Sequence, residues 1–87
     1  MKSSVLIPTT VIGAGAWGTA LAIAIARNGH EVLLWGRDAE HLNAMELSHC
    51  NERYLPRVSF PASLEVVKSL EQAISQAKHV LISVPSV

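Results

Sequence analysis

Three glycines within six residues, Gly13-Ala14-Gly15-Ala16-Trp17-Gly18, constrain this chain more than any other feature in it. Before them, Val5 to Ile12 is apolar, rich in β-branched residues and too short for an independent helix, so it reads as a buried strand whose paired part begins after Pro8. After them, Trp17 to Asn28 reads as a helix of about twelve residues, closed by Gly29 where a left-handed residue ends a helix. Between a strand and a helix each glycine has its own task. Gly13 permits the tight turn, Gly15 lets the backbone approach a ligand with no Cβ in the way, and Gly18 lets the helix pack closely on the sheet. The unpaired N–H groups and dipole at the helix start favour negative charge, so this turn suits a pyrophosphate without any basic side chain at the turn itself.

The rest of the chain repeats the alternation. Leu21 to Ala26 alternates large and small like a strand, but alanine favours helix and Trp17, Leu21 and Ile25 stack at successive i+4 steps. The helix is apolar nearly all round, which predicts heavy burial. Glu31 to Trp35 reads as a second strand, and Asp38 is placed to cap a helix running to about Cys50. Pro56 and Pro61 bracket a looser stretch, followed by a short third strand over Leu64 to Val67. Ser69-Leu70-Glu71-Gln72 has the form of a capping box opening a helix to about Lys78, and His79 to Val84 is a fourth strand stopped by Pro85. Strands alternating with helices imply a parallel sheet covered on both faces. The expectation is therefore an α/β chain forming one domain over residues 1–87, a partial Rossmann fold with about four strands in the order 3-2-1-4. No internal repeat, low-complexity segment or linker interrupts it.

Composition removes several alternatives. Seven basic and seven acidic residues balance, which leaves no electrostatic platform for nucleic acid. A chain of 87 residues buries only about 60–65% of the surface it exposes when unfolded, so more chain, a partner or a ligand is expected to complete its stability. Ser3 to Ala26 carries no charge and mimics a signal peptide or anchor, but Pro8 and the three glycines break it into pieces too short to span a bilayer, and no membrane span is expected. Cys50 is the only cysteine, so there is no internal disulfide framework, in keeping with a reducing compartment. The histidines are scattered; Glu46-x-x-His49 beside Cys50 lacks the convergent ligands of a metal site and reads as a polar helix face, so no metal is expected. Ser3, Ser4, Ser48 and Ser83 have no nucleophile-elbow setting.

Cofactor choice depends on the end of the second strand. The dinucleotide-binding pattern usually has an acidic residue there for the adenine-ribose hydroxyls, but here Trp35 and Gly36 precede Arg37. An arginine at that place pairs with a 2′-phosphate through charge-assisted bonds, which favours NADPH. Asp38 keeps NADH in play as a ribose carboxylate, its other role being the helix cap. Trp17 either flanks the cofactor or anchors the helix in the core. Val84-Pro85-Ser86, at the same carboxyl edge of the sheet, either walls the nicotinamide side or merely ends the strand.

Taken together, Gly13 to Ala22, the Leu-Trp-Gly-Arg stretch ending at Arg37, Asn51-x-x-Tyr54-Leu55-Pro56 and Val84-Pro85-Ser86 resemble, in order and spacing, the bacterial NAD(P)-dependent glycerol-3-phosphate dehydrogenases. The resemblance spans most of the chain, and the Asn-x-x-Tyr-Leu-Pro element makes it far more specific than the glycines alone. It implies a cytoplasmic oxidoreductase that reversibly reduces dihydroxyacetone phosphate to sn-glycerol 3-phosphate for phospholipid synthesis. It also implies cofactor contacts at Ala16 and Trp17 and an adenosine-facing role for Arg37. Ala16 is often serine in the family, so a hydroxyl contact is missing here and the backbone amide remains. The cofactor-binding set is thus Gly13, Gly15, Ala16, Trp17, Gly18 and Arg37, with no catalytic residue in this chain. The family's substrate-binding and proton-transferring lysines lie further along its sequence, and Lys68 and Lys78 do not fill those places, so the chain alone is expected to be inactive.

Two rivals remain at this level: another dehydrogenase of the same superfamily, acting on a hydroxy acid or imine, and a non-catalytic NAD(P)-binding module. The last strand would normally have another strand beside it; if the chain is really this short, its exposed edge predicts self-association or aggregation, and a homodimer is the protein partner considered.

Overall fold

The alternation of strands and helices is realised in a computed structural model that describes residues 9–83. Strand β1 (Thr9–Ile12) leads through the glycine turn into helix α1 (Ala16–Arg27), then to β2 (Val32–Trp35) and α2 (Ala39–Ser48). A short β3 (Cys50–Asn51) and β4 (Leu55–Ser59) follow, then β5 (Leu64–Val66), α3 (Leu70–Ser75) and β6 (His79–Ile82). Four strands form one sheet in the order β5-β2-β1-β6. Every pairing in it is parallel, with Thr9 opposite Val32 and His79, and Val32 opposite Leu64. This is the expected 3-2-1-4 order, since β5 and β6 are the third and fourth strands of the reading above.

Alternation along β2 assigns the two faces. Val32 and Leu34 pack with Val11, Ala22, Ile23, Ala26, Leu42 and Met45 beneath α1 and α2. Leu33 faces the other way, onto Val67 and Ala73 of the α3 side. A parallel sheet needs cover on both faces, and the central strands β1 and β2 have it. The Thr10 hydroxyl, fully buried, donates to the Ala73 carbonyl and ties α3 to the centre of the sheet.

Several boundaries correct the sequence reading. Helix α1 is buried on one face only, through Gly18, Thr19, Ala22, Ile23 and Ala26. Trp17 is 75% exposed, Leu21 is half-buried, and Ile25 is half-buried and packs against the core. Small residues at 18, 19, 22 and 26 bring the helix axis close to the sheet, so apolarity all round does not imply burial all round. Helix α2 stops at Ser48 because His49 takes a left-handed conformation (φ 57°), and Cys50 begins a strand instead. The stretch between Pro56 and Pro61 is also more regular than expected: β3 and β4 pair antiparallel, with a register irregularity between Cys50 and Asn51. Helix α3 ends at Ser75, short of Lys78.

Gly29 has the positive φ (92°) expected beyond α1, and its N–H bonds the Ala26 carbonyl. Ser69 accepts from Gln72 N–H, making one half of the capping box. No helix among the described residues is long and apolar enough to cross a membrane. Val5 to Pro8 of the first apolar run, Ser3 and Ser4, and Val84-Pro85-Ser86 lie outside the described residues.

Candidate functional site: the glycine turn and the end of β2

The β1–α1 turn is built by exclusion. Gly13 has φ 119°, and a Cβ there would run into the Ser83 carbonyl oxygen at the end of β6. A Cβ on Gly18 would run into the Gly13 carbonyl oxygen. These two glycines therefore serve close approach of backbone to backbone. Gly15 differs: no atom lies within 4 Å of where its Cβ would stand. It is the N-cap residue of α1, offers no side-chain cap, and the first turn carries no acidic residue. The helix start thus keeps its N–H groups and positive dipole end for an external acceptor, and Gly15 leaves space for one. Ala16 and Trp17, the next two residues, are exposed beside it. With Trp17 at 75% exposure its anchoring role in the core is ruled out.

Arg37 is brought to the same sheet edge by β2. Gly13 N–H bonds the Trp35 carbonyl at 2.7 Å, and the ideal Cβ position of Gly36 lies 2.9 Å from Ala14 Cβ, so the turn carrying Arg37 abuts the glycine turn. Gly36 had no role in the sequence reading; its lack of a side chain is what permits this approach. Arg37 is exposed and forms no ion pair among the described residues. Asp38 is occupied. Its Oδ1 accepts from the N–H groups of Glu40 (3.0 Å) and His41 (3.2 Å), and its Oδ2 pairs with Arg53 at 3.1 Å. The His41 N–H, and next the Arg53 guanidinium, hold its carboxyl below the usual value.

Behind the glycine turn lies a residue that the sequence reading quoted without assigning a role. Asn51 is completely buried. Its Nδ2 donates to the Ala14 carbonyl (3.0 Å) and to Thr19 Oγ1 (2.7 Å), while Oδ1 meets His41 Nε2 (2.8 Å) and accepts from Tyr54 N–H (3.3 Å). A carbonyl only accepts and an N–H only donates, so these two backbone groups fix which end of the amide is which. His41 Nε2 therefore carries a hydrogen. The Tyr54 ring stands edge-on to the His41 ring, centroids 5.7 Å apart. Asn51-x-x-Tyr54 thus braces the cradle from within. The signal that pointed to it was the motif, since a lone asparagine in a polar loop carries none.

Of the lysines set aside in the sequence, Lys68 pairs with Glu46 at 2.8 Å.

A central strand, a glycine turn at its carboxyl end and an arginine one strand away define a dinucleotide-binding α/β domain of the Rossmann type. Residues 8–87 match the family model described as NAD-dependent glycerol-3-phosphate dehydrogenase N-terminus, and the chain belongs to that family, NAD(P)-dependent oxidoreductases. It is 57% identical over 76 residues to glycerol-3-phosphate dehydrogenase (NAD(P)+) of Sodalis glossinidius, a match covering 87% of this chain and 22% of that one. Against the enzyme of the same name from Blochmanniella pennsylvanica, identity is 53% over 77 residues, covering 88% and 22%.

Among solved structures, that of glycerol-3-phosphate dehydrogenase from Coxiella burnetii superposes with a TM-score of 0.89 at 40% identity, covering 93% of this chain and 25% of that one. The Plasmodium falciparum glycerol-3-phosphate dehydrogenase gives 0.77 at 25% identity, covering 92% and 25%. The chain spans about a quarter of the length of the relatives it matches. The family resemblance read from the residues is borne out, and the chain corresponds to the N-terminal part of that family.

Proposed function

We propose that Gly13, Gly15, Ala16, Trp17, Gly18 and Arg37 hold an NADPH molecule, and that the whole protein reversibly reduces dihydroxyacetone phosphate to sn-glycerol 3-phosphate. The observation that carries this reading is the start of α1, where neither a side-chain cap nor an acidic residue occupies the helix end and Gly15 opens onto free space. The bound nicotinamide supplies the hydride. This chain's residues bind and orient: the α1 amides take the pyrophosphate, Ala16 contributes its backbone N–H, and Trp17 covers the cofactor beside them. The preference for NADPH is supported by the division of labour at the end of β2. Arg37 pairs with no carboxylate among the described residues, while the Asp38 carboxylate is engaged by two N–H groups and Arg53 rather than offered to a ribose.

The substrate and the proton-transferring groups belong to the remaining three quarters of the relatives' length, so the 87-residue chain binds cofactor without turnover. The whole protein is assigned to the cytoplasm, on the family's biosynthetic role.

Calorimetric titration of the chain with NADPH and NADH tests the site. NADPH should bind more tightly, and Arg37→Ala should weaken it about tenfold or more while leaving NADH nearly unchanged, since one charge-assisted phosphate contact is lost. Tighter NADH binding would overturn the 2′-phosphate assignment, and absence of binding by folded chain would overturn the site.

A further inference from the structure

We propose that Asn51 is a positioning residue that aims the Gly15 N–H at the cofactor pyrophosphate. The inference rests on the cofactor reading above and deepens it.

An asparagine amide has two donor hydrogens and two acceptor lone pairs, and in Asn51 the bonding partners match that inventory. Complete burial makes each bond consequential, because an unmatched polar group there would have no water to turn to. The partners lie in three separate parts of the chain: the glycine turn and first turn of α1, helix α2, and the β3–β4 connection. Asn51 is thus a junction where α2 and the hairpin, neither of which belongs to the cradle, fix the cradle's shape.

Ala14 C=O and Gly15 N–H belong to one peptide unit. That unit is planar and trans, so its C=O and N–H point in opposite directions. Holding the Ala14 carbonyl inward on Asn51 Nδ2 turns the Gly15 N–H the opposite way, and nothing lies within 4 Å of where a Gly15 Cβ would stand. Gly15 has φ −77° and ψ −171°, an extended cap from which glycine departs at little cost. Without an inward anchor this peptide is free to rotate. The second Nδ2 hydrogen holds Thr19 Oγ1, and Thr19 N–H bonds the Gly15 carbonyl at 3.0 Å, so the same amide also sets the first turn of α1 against the Gly15 peptide. A phosphate arriving here meets an amide already oriented for it, and preorganisation of that kind is expressed as affinity.

Asn51→Asp preserves shape while replacing the two donor hydrogens by an oxygen that repels the Ala14 carbonyl. Two ligands separate positioning from folding: NADPH, which spans the pyrophosphate cradle, and adenosine 2′-monophosphate, which has the 2′-phosphate for Arg37 but no pyrophosphate. The positioning role predicts that Asn51→Asp weakens NADPH about tenfold or more, the equivalent of losing one oriented charge-assisted contact. Adenosine 2′-monophosphate should bind as it does to the unaltered chain. The Gly15 amide resonance should move in the variant, while those of β2 and β5 stay in place.

Unchanged NADPH affinity in a folded variant overturns the proposal and leaves the cofactor site standing, as does equal loss of both ligands in a folded variant. If the unaltered chain binds neither ligand, the cofactor reading fails and this proposal with it. Where Asn51→Asp does not fold, the unaltered chain decides: its Gly15 amide must shift on adding NADPH and stay still on adding adenosine 2′-monophosphate, and a Gly15 amide unmoved by NADPH overturns the proposal.

Discussion

Adding one methyl group at each glycine of the turn should have different consequences, because the three glycines are needed for different reasons. At Gly18, within a helix, alanine would ordinarily stabilise by about 1 kcal/mol. Here the added carbon meets the Gly13 carbonyl, and the sign reverses. At Gly13 the penalty is double, since φ is 119° and the Ser83 carbonyl fills the space. Gly13→Ala should therefore cost about 2 kcal/mol or more in urea unfolding. Gly15→Ala should stay within about 0.5 kcal/mol of the parent, its φ of −77° being open to any residue and its surroundings empty. Yet that carbon would stand where the pyrophosphate approaches, so NADPH binding measured calorimetrically should fall sharply in Gly15→Ala. The reverse pattern, a destabilised Gly15→Ala that still binds, would mean the open space is not the ligand's.

At the scale of elements, the caps decide what was legible. Asp38 and Ser69 were readable as N-caps because a short acceptor side chain before an apolar-periodic run has one common use, and both accept from the N–H groups expected. The cap on α2 carries a pH dependence of definite sign. Asp38 titrates below its ordinary value of 3.8, chiefly through the His41 N–H and then Arg53. On acidification the unfolded chain takes up this proton first. The contribution to stability is therefore fully present above 3.8 and disappears as pH falls through the lower, folded value. The gap in urea midpoint between the parent and Asp38→Ala should hold from neutral pH down to that point and then close; a gap that persists in acid would show the carboxylate charge to be irrelevant.

The β3–β4 hairpin was not legible, for physical reasons. Its first strand is only Cys50 and Asn51, Pro56 removes a donor from the second, and Arg57 sits at φ 70°, so the pairing follows from tertiary context and not from local preference. The burial of α1 was misread for a related reason, since a helix expected to be buried nearly all round leaves Trp17 75% exposed. Spacing locates a stripe on a helix, but which stripe faces the sheet was decided by the small residues that allow close approach. The glycine turn and the place of Arg37 beyond β2 were legible because they follow from single positions and local spacing; Asn51 was not, because its bonds exist only once separate segments converge on it.

At the scale of the whole fold, one side of the sheet is unfinished among the described residues. Strand β6 pairs with β1 along one edge and, among the described residues, with nothing along the other. Val80 and Leu81 are 40% and 39% exposed and Ile82 is 70% exposed, in a strand that a parallel sheet normally buries on both faces. An unpaired edge with apolar side chains is a template for a second chain, and the net charge of zero at pH 7 gives two copies no long-range reason to stay apart. The isolated 87-residue chain should accordingly self-associate with rising concentration in sedimentation velocity. Ile82→Lys should suppress that association, because a lysine on an exposed edge must be desolvated for another strand to dock. It should leave the fold intact, since the Ile82 side chain is largely in solvent already. An Ile82→Lys chain that associates as strongly as the parent would place the contact elsewhere, with the Leu70 and Ile74 side chains of α3, 40% and 48% exposed, next in line for substitution.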